Sequence, residues 1–595
     1  MLLYDFVEKE MSEVAKILRV DMTSGTVKYE DVPEKYAMMA GRWLTSSMVA
    51  DEVDPECHPL GPTNKLVFAP GIVTGTRAAT SARLSVGGKS PLTGGIKESN
   101  AGTKFAVMQA RLGIKALVVE GQPKDGKSYL LEIKKDAARL LPADDLAGKG
   151  AYETTDALVA KYGKVGVSCV GPAGEFKLSG AGICFSDEKD RASRYAGRGG
   201  LGAVMGSKGL KAIVIDDTGA AGVPIANKAL FEQGRKKLLA GLQSHDLTKP
   251  KGALNSYGTA VLINIMNEAG GLPTRNFSSG RFEGAAKVAG ETIFERNKAL
   301  LGKEEYNHAC SPGCVIQCSN TVRDANGNEI ASCVEYETAW ALGPNCGIDD
   351  LEAIAKMTWL CNDIGVDTIE MGATIGVAME GGALPFGDVQ GAIKLLEEVG
   401  KGTPIGRIIG NGAGFAGKAF GVTRVPTVKN QAMPAYEPRA VKGIGITYAT
   451  STMGADHTAG YTIAPEIAGV SGKLDQFDPN KADLSYAFQS TTAFIDTSGH
   501  CLFIAFAILD IPSAYEGWVE ECAGVVGANW TAADVLRIGD EVLRTERRFN
   551  EAAGLGKAAD RLPEFMKYEP LPPHNVVWNV SDEDLDSVYG RLDAK

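Results

Sequence analysis

The sequence predicts an α+β protein with a β-rich N-terminal domain at residues 12–221 and two mainly helical domains at 222–425 and 426–595. Three observations support this division. Short, β-branched apolar runs crowd the first third of the chain, helical periodicity begins at Asn227, and a Pro-rich stretch at 425–440 interrupts the helical part. A chain of 595 residues is long enough for about three or four domains of ordinary size.

The β-rich region opens with a predicted hairpin formed by residues 14–22 and 26–30, and residues 1–11 are expected to be an extension. Helical patterns occur only near 100–112 and 150–162, and no internal repeat is recognisable. Further strands are predicted at 65–71, 82–88, 115–121, 129–133, 164–171 and 211–217.

The remainder of the chain has the periodicity of amphipathic or wholly buried helices. These helical patterns lie at 227–242, 253–270, 350–365, 367–382, 389–400, 485–509 and 531–549. The Pro- and Asp-rich tail from residue 570 is expected to lie over the surface.

The net charge of −11, with both signs mixed along the chain, argues against nucleic acid or an anionic membrane as the main partner. No apolar run approaches the ~18 residues that a membrane span needs. The acidic N-terminus lacks the order of a signal peptide, so a cytoplasmic protein is expected. Its 11 cysteines are then free thiols and metal ligands rather than a disulfide framework.

Three cysteines, Cys310, Cys314 and Cys318, lie close together on a loop that contains Pro312 and Gly313. Clustered thiolates indicate a soft-metal site whose fourth ligand comes from elsewhere, as in a [4Fe–4S] cluster. Zinc is one alternative, although it commonly uses paired cysteine knuckles and no second pair is present. The other alternative is that these three cysteines bind no metal and are buried in the hydrophobic core. Core packing is expected for Cys169, Cys184, Cys346 and Cys522.

Two glycine-rich segments favour a bulky, phosphorylated cofactor. Residues 197–202 match G-x-G-x-x-G, but the charged residues before them do not resemble the strand that a dinucleotide fingerprint requires. With Arg191, Arg194 and Arg198 nearby, this segment is either an anion-binding loop or a solvated basic turn. The second segment, 90–102, is flanked by Arg83, Lys89 and Lys97.

Two single residues are candidate proton-transfer groups. Glu337 lies in the apolar stretch CVEYETAWALG, where a carboxylate should have a raised pKa and could act as a general base. A hydrogen-bonded structural Glu is the alternative. His457, in GADHTAGY, is one of 6 histidines, and a lone His is more often structural than catalytic.

Taken together, these motifs resemble the aldehyde:ferredoxin oxidoreductase family of tungsten-pterin enzymes, from about residue 14 to about residue 570. The resemblance implies a β-rich base for a bis-pterin cofactor, with two helical domains closing over it. Several independent motifs in family order are far more specific than any one of them. The markers are GRGGLGAVMGSKGLKAI at 197–213, CSPGCVIQC at 310–318, EYETAWALG at 335–343, NDIGVDTI at 362–369, MPAYEPRA at 433–440 and AFIDTSGHCLF at 493–503.

The resemblance supplies the missing cluster ligand, because the family's D-x-x-G-L-C motif matches residues 496–501, with His500 where Leu is usual. The sister motif, D-x-x-G-L-D, matches residues 362–367, with Asn362 in place of Asp. In the family these two motifs grip the two pterins. The implied cluster ligands are Cys310, Cys314, Cys318 and Cys501, and the implied pterin ligands are Asp367 and Asp496.

The family's phosphate and magnesium loops also have counterparts, at Arg83, Asn100, Gly102, Arg194 and Tyr195. In the family the pterin phosphates share a Mg²⁺ ion that backbone carbonyls partly hold, and Asn100 and Tyr195 are the matching positions. One departure is the cysteine loop, which reads C-x₃-C-x₃-C where the family has C-x₂-C-x₃-C. Local geometry near Cys310 is therefore expected to differ from the family.

The implied reaction is the oxidation of an aldehyde to its carboxylic acid at tungsten or molybdenum, under anaerobic conditions. Electrons would leave through the cluster to ferredoxin or an iron–sulfur partner subunit. Glu337 would activate water or take a proton, and His457 would orient the carbonyl oxygen. The E-x-x-H motif that bridges some family dimers with iron is replaced at Lys356 and Trp359, so any oligomer is expected to lack an iron bridge.

Two alternatives remain open at this point. One is an aromatic acyl-CoA reductase-type subunit that uses the same cofactor on a different substrate. The other is an electron-transfer subunit that keeps a cluster but lacks an active metal.

Overall fold

The computed structural model describes residues 15–135 and 137–593. Its N-terminal part contains two six-stranded sheets, and the part from Lys228 onward is mainly helical. The predicted α+β class is confirmed. The start of the first predicted domain, the expected extension at 1–11 and the first residue of the predicted hairpin lie outside the described residues.

The first sheet has the strand order β2-β1-β6-β3-β4-β5. Its central strands, such as β3 with the sequence LVFAP, are buried on both faces. Strands β1 and β6 are parallel, and every other neighbouring pair is antiparallel. The strands are β1 Lys16–Asp21, β2 Thr26–Asp31, β3 Leu66–Pro70, β4 Arg83–Lys89, β5 Ile96–Gly102 and β6 Ile114–Glu120.

The second sheet repeats this topology strand for strand, in the order β8-β7-β12-β9-β10-β11. Here too only one pair, β7 and β12, is parallel. The strands are β7 Tyr129–Lys134, β8 Ala137–Pro142, β9 Gly166–Cys169, β10 Ile183–Ser186, β11 Ala192–Ala196 and β12 Leu210–Ile215. We call the part from β1 to β6 the first repeat and the part from β7 to β12 the second repeat.

The helices between the strands follow the same duplication. Helix α1 (Gly41–Glu52) lies between β2 and β3, and α3 (Ala151–Tyr162) between β8 and β9. Likewise α2 (Lys104–Arg111) precedes β6, and α5 (Leu201–Ser207) precedes β12, while the short α4 (Pro172–Glu175) has no partner. The internal duplication is therefore visible in the topology, whereas no repeat is recognisable in the sequence. Backbone pairing fixes a strand order that many apolar sequences satisfy, so the duplication leaves little trace in the residues.

Several elements of this region were not predicted. Helix α1 is buried on nearly all sides and so lacks an amphipathic period. Strand β5, IKESNAG, was expected to be part of a glycine-rich loop, and β11, ASRYA, was expected not to be a strand. Both are edge strands in which polar side chains that line a cavity alternate with few large apolar residues, although Ile96 and Ala196 pack in the core. The apolar alternation that marks most strands is therefore weak.

The helical region agrees with most of the predicted periods. The pattern at 485–509 is broken by Gly499, whose φ of 89° ends a helix, and the pattern at 253–270 divides at Gly258. The helices are α6 Lys228–Ser244, α7 Ala253–Tyr257, α8 Leu262–Glu268, α9 Gly290–Leu301, α10 Tyr336–Leu342, α11 Leu351–Ile364, α12 Thr368–Glu380, α13 Val389–Lys401, α14 Pro404–Gly410, α15 Ala413–Phe420, α16 Lys442–Thr450, α17 Ile463–Glu466, α18 Ala482–Ser498, α19 Ile504–Asp510, α20 Pro512–Val526, α21 Ala532–Ala552, α22 Phe565–Tyr568, α23 Asp582–Ser587 and α24 Gly590–Asp593.

One large apolar core connects the helices of both predicted helical domains. The Pro-rich stretch at 425–440 crosses this core and is buried from Gln431 to Ala440, although a division of the helical part there stays a prediction. The tail does not simply lie over the surface, because Leu571, Trp578 and Tyr589 are buried in the same core. Minor strands complete the region: β13 Thr321–Arg323, β14 Glu329–Ser332, β15 Thr427–Val428 and β16 Gln431–Ala432.

The four cysteines predicted to pack in the core are buried. In the described part of the chain, no helix is both long enough and apolar enough to cross a membrane.

Candidate active site

Two loops from the helical region dock onto the two repeats. The Gly365 loop (365–367) follows α11, and its glycine has a φ of 82°. It accepts a hydrogen bond from the Gly182 N–H at Gly365 O, 3.0 Å, and donates one from the Asp367 N–H to Gly180 O, 3.0 Å. The approach is so close that a Cβ added at Gly171 would lie 2.3 Å from Ile364 O. Glycine is therefore required at position 171 of the second repeat as well as at position 365 of the loop.

The Gly499 loop (499–503) follows α18 and docks on the first repeat in the corresponding way. The Arg83 N–H donates to Gly499 O at 3.3 Å, and the Ile72 N–H donates to Thr497 O at 3.1 Å. A Cβ added at Gly71 would lie 2.1 Å from the Cα of Gly499. The two predicted pterin motifs are thus the same structural device, a helix end with a left-handed glycine, used once on each repeat.

The edge strands β5 and β11 pack against each other between these loops. Asn100 of β5 is paired with Ser85, and Tyr195 of β11 is paired with Cys184, which are equivalent positions of the two repeats. Edge strands expose backbone N–H and C=O groups that no neighbouring strand uses. The two positions matched to the family's magnesium loops are therefore related by the internal duplication.

A cavity of about 350 Å³ opens over these edges. Its lining includes most residues that were predicted for the cofactor: Arg83, Asn100, Gly102, Arg194, Tyr195, Asp367, Asp496, Cys310, His457 and Cys501. An adjoining cavity of about 190 Å³ shares part of this wall. It adds the remaining predicted residues: Cys314, Cys318 and Glu337. All predicted site residues are therefore brought together around two adjoining cavities that share wall residues.

The four predicted cluster cysteines surround the smaller cavity. The Arg83 Nη2 donates to Cys501 Sγ at 2.9 Å. A hydrogen bond from Cys314, together with the guanidinium groups of Arg194 and Arg83, lowers the pKa of the Cys310 thiol. Positive charge beside a thiol favours the thiolate, which is the form that binds iron.

Thr80 joins the cysteine loop to Cys501. Its N–H donates to Gly313 O at 2.9 Å, its C=O accepts from the Cys501 N–H at 3.0 Å, and its hydroxyl accepts from the Val315 N–H at 3.2 Å. Thr80 has a φ of 58°, an uncommon conformation for a β-branched residue. Nothing in the sequence pattern singles out this residue.

The cysteine arrangement fits a four-iron cluster. Such a cluster takes one thiolate per iron and so needs thiols around a cavity rather than at a single point. Among the residues that the structure describes, no three His, Cys, Asp or Glu side chains converge tightly enough to share one metal ion. The smaller cavity is lined by all four predicted thiols and by Arg83 and Arg194, a donor set and a positive charge that suit such a cluster.

Glu337 and His457 face each other across the same cavity. Glu337 Oε2 accepts from the Ala435 N–H at 2.8 Å. Its Oε1 lies 3.4 Å from His457 Nε2, without the alignment of a hydrogen bond, and has no other partner. Burial raises the pKa of Glu337 to about 8 and lowers the pKa of His457 to about 4. Both groups are therefore neutral near pH 7 and have unpaired atoms at the cavity.

Buried cations lie behind the two predicted pterin aspartates. Asp367 caps α12 by accepting from the Ile369 N–H at 3.0 Å, and Arg198 Nε approaches its Oδ2 at 3.1 Å. Asp496 Oδ2 lies 3.2 Å from Arg42 Nη1. Sequence reasoning placed Arg198 in a glycine-rich segment without a partner and did not find Arg42, which lies in the unpredicted helix α1.

The G-x-G-x-x-G segment at 197–202 has a strand before it, β11, contrary to the expectation from its charged sequence. That strand is at the sheet edge and is not a parallel neighbour of β12, so the segment is not part of a dinucleotide-binding unit. Arg194 and Arg198 line the larger cavity. Arg191 instead pairs with Asp187 and with Glu329.

Residues 17–217 match the description "Aldehyde ferredoxin oxidoreductase, N-terminal domain", and residues 234–592 match "Aldehyde ferredoxin oxidoreductase, domains 2 & 3". The chain belongs to the aldehyde ferredoxin oxidoreductase family. It is 35% identical over 585 residues to the tungsten-containing aldehyde ferredoxin oxidoreductase of Pyrococcus furiosus, covering 94% of this chain and 92% of that protein. The protein of the same name from Thermococcus kodakarensis is also 35% identical, over 579 residues.

Two more distant relatives have names that describe other enzymes. The aliphatic sulfonate oxidoreductase WOR-like subunit of Pyrococcus furiosus is 25% identical, covering 94% of this chain and 90% of that subunit. Among solved structures, the active site complex BamBC of benzoyl coenzyme A reductase with 1,5-dienoyl-CoA has a TM-score of 0.78. At 18% identity, covering 98% of this chain and 94% of that one, it establishes a shared fold.

Proposed function

We propose that this family member is a tungsten bis-pterin oxidoreductase that oxidises aldehydes to carboxylic acids. One observation carries the proposal: the four thiols and the Glu337–His457 pair line one cavity, which shares Arg83 and Arg194 with the adjoining larger cavity. Proton-transfer groups and an electron exit therefore adjoin the same space. The reaction converts an aldehyde and water into the acid, two electrons and two protons. The metal cofactor would supply two-electron chemistry, and Cys310, Cys314, Cys318 and Cys501 would hold the one-electron cluster beside it.

The polypeptide would hold this cofactor from both repeats. Asp367 and Asp496 would receive hydrogen bonds from the pterins, and Arg83 and Arg194 would bind their phosphates. The backbone carbonyls of Asn100 and Tyr195, which occupy equivalent positions on the two edge strands, would help to hold a Mg²⁺ ion that neutralises phosphate charge.

Gly102 leaves room beside these groups. A Cβ added there would lie 3.3 Å from Arg83 Nε and 3.4 Å from Cys310 Sγ, so a side chain would crowd both the arginine and the cluster ligand.

Glu337 would act as the general base. Its free Oε1 faces the cavity, and a carboxylate whose pKa is near 8 can take a proton from water and release it again near neutral pH. His457, which is neutral at that pH, would donate or accept one hydrogen bond at the carbonyl oxygen of the substrate.

The electrons would leave through Cys310, Cys314, Cys318 and Cys501 to ferredoxin or an iron–sulfur partner subunit in the cytoplasm. Lys356 and Trp359 offer no carboxylate or imidazole for an iron bridge, so any dimer would rest on packing alone. The division of the chain into 12–221, 222–425 and 426–595 is part of the same proposal.

Metal analysis of natively grown protein, combined with an anaerobic substrate screen, tests this function. Tungsten or molybdenum with about four iron atoms per chain and aldehyde-dependent reduction of a viologen dye are expected. Iron without either heavier metal would support an electron-transfer subunit instead. Dye oxidation that depends on an aromatic acyl thioester, without aldehyde activity, would support the reductase alternative.

A further inference from the structure

Arg42 occupies an enclosed position between two acidic side chains. Its guanidinium donates to Glu546 through Nε and Nη2, both at 2.9 Å, and its Nη1 reaches Asp496 Oδ2 at 3.2 Å. Arg42 is 2% exposed and Glu546 is fully buried. The fork of the guanidinium is therefore anchored on one carboxylate, and its remaining nitrogen is directed at the other.

Arg198 repeats this arrangement beside the other aspartate. Its Nε lies 3.1 Å from Asp367 Oδ2, and its Nη2 lies 3.8 Å from the fully buried Glu370. It also donates to the backbone carbonyls of Ala455 and Ala432, at 2.6 Å each. Each predicted pterin aspartate thus has a buried arginine behind it and a buried glutamate behind that arginine.

The geometry of these contacts requires arginine. A guanidinium presents its donors in one rigid plane, so a nitrogen that is fixed on one acceptor fixes the direction of the others. A lysine would keep the charge but could not hold two carboxylates, or a carboxylate and two carbonyls, in a set orientation. Neither arginine forms a surface ion pair, because both are buried, and both aspartates also line the larger cavity.

We infer that Arg42 and Arg198 are paired positioning residues that fix the side chains of Asp496 and Asp367 in the orientation that receives the two pterins. This inference rests on the proposed function and extends it to two residues that the resemblance did not assign to pterin binding. It also predicts that the two arginines differ in what they control, because their remaining contacts lead to different parts of the site.

Arg198 is connected to the acid–base pair. Its bond to Ala455 O holds the segment that continues into Asp456 and His457. Arg42 is connected to the cluster instead, since Asp496 is on α18, which leads directly into the Gly499 loop and Cys501. Loosening Arg198 should therefore slow turnover at the substrate, whereas loosening Arg42 should slow electron transfer into the cluster.

The experiment compares Arg42→Lys and Arg198→Lys with Arg439→Lys. Arg439 is a matched control, because it is 1% exposed, binds Glu437 through Nε and Nη2 at 2.9 Å each, and does not line either cavity. The measurements on each anaerobically purified holoenzyme are pterin and metal content, kcat and KM with an aldehyde, and the rate at which substrate reduces the cluster in stopped flow.

Relative to the control variant, Arg198→Lys should lower kcat by about tenfold to a hundredfold with little change in KM, as expected for misplaced reacting groups. Arg42→Lys should slow cluster reduction by a similar factor. Both should retain less pterin than the control. Values equal to those of Arg439→Lys in every measurement would overturn the inference.

Where a lysine variant does not yield folded protein, Arg42→Gln and Arg198→Gln, whose planar amides keep two of the donors, undergo the same measurements with the same expected order. A wild-type protein without pterin or aldehyde activity would overturn the proposed function first. A fully active wild type with unaffected variants would overturn only the positioning role.

Discussion

The Gly365 loop and the Gly499 loop begin with the same kind of backbone turn but carry different functional side chains. Each follows a helix, turns at a glycine with positive φ, and binds the start of an equivalent strand pair. Two residues after the glycine they diverge. Asp367 immediately caps a new helix and faces Arg198, whereas Cys501 faces Arg83 and the cysteine loop.

This divergence shows how a duplicated scaffold becomes an asymmetric site. The repeats supply two matching cradles, so the positions of the docking glycines and of Asn100 and Tyr195 obey the duplication. Function is assigned by single side chains on that frame. One loop carries a helix-capping aspartate beside Arg198 and the other carries a predicted cluster cysteine beside Arg83, although the acid–base pair and the thiols line the same smaller cavity.

The largest effect is expected at the cysteine of the Gly499 loop. Cys501→Ser should abolish the four-iron EPR signal and the dye-linked activity, because the serine oxygen is a poor replacement for a thiolate on iron. The matched change on the other loop is Asp367→Asn, which should lower pterin content but leave the cluster signal intact. A normal cluster signal in Cys501→Ser would contradict the ligand assignment and remove the functional difference between the loops.

The next effect concerns Glu337, the proposed general base, which lines the smaller cavity. Glu337→Gln should lower kcat by about 10²–10⁴-fold, the range for loss of a general base, with unchanged metal and iron content. The amide has almost the same shape, so it can still accept from the Ala435 N–H. Turnover close to wild type would place the base elsewhere in the cavity.

Motifs whose residues follow one another at fixed spacing could be recognised in the sequence. Contacts between residues that are distant in the sequence could not. The cysteine loop and the two glycine-containing motifs predicted residues that the structure brings into two adjoining cavities. The duplication was invisible because it is a property of strand order. Thr80 and Arg42 were missed because each acts through its backbone or through partners hundreds of residues away, which no local pattern encodes.

Strand β5 was missed for a related reason. The strand lies at a sheet edge beside a cavity, and its polar residues line that cavity. The same polar residues interrupt the apolar pattern from which a strand is predicted. The predicted helices were found more reliably, since burial against a continuous core imposes a regular apolar period.

Alanine substitutions at the two docking glycines measure how similar the cradles are. Both positions have φ values that cost an alanine about 1–2 kcal/mol, and a steric penalty is added. The new Cβ would lie 2.8 Å from Gly171 N in Gly365→Ala and 2.3 Å from Thr74 Oγ1 in Gly499→Ala.

The control is Gly421→Ala, which has a φ of 69° and no heavy atom within 4 Å of the new Cβ. Its melting temperature should therefore fall only by the conformational cost. Larger and similar decreases are expected for the two loop variants. Equal decreases in all three proteins would mean that the close docking contributes little to stability.

The smallest effect is the pH dependence of kcat, which we assign to the Glu337 carboxyl. Since the pKa of Glu337 is about 8 in the folded chain, the fraction of ionised base, and with it kcat, should rise about tenfold per pH unit up to about pH 8 and then level off. His457, with a pKa of about 4, adds no limb in this range. The limb should persist in Asp367→Asn and disappear in Glu337→Gln, while cluster content stays constant across the same pH values.

The raised pKa of Glu337 should also make the folded chain less stable as pH rises. The folded chain keeps the Glu337 proton between pH 4.5 and about 8, whereas the unfolded chain releases it, so the contribution of this group to stability is lost as pH rises through that window. Wild-type protein should therefore lose more thermal stability than Glu337→Gln between those limits. An equal loss in both proteins would show that the Glu337 carboxyl is already ionised in the folded state at the lower pH.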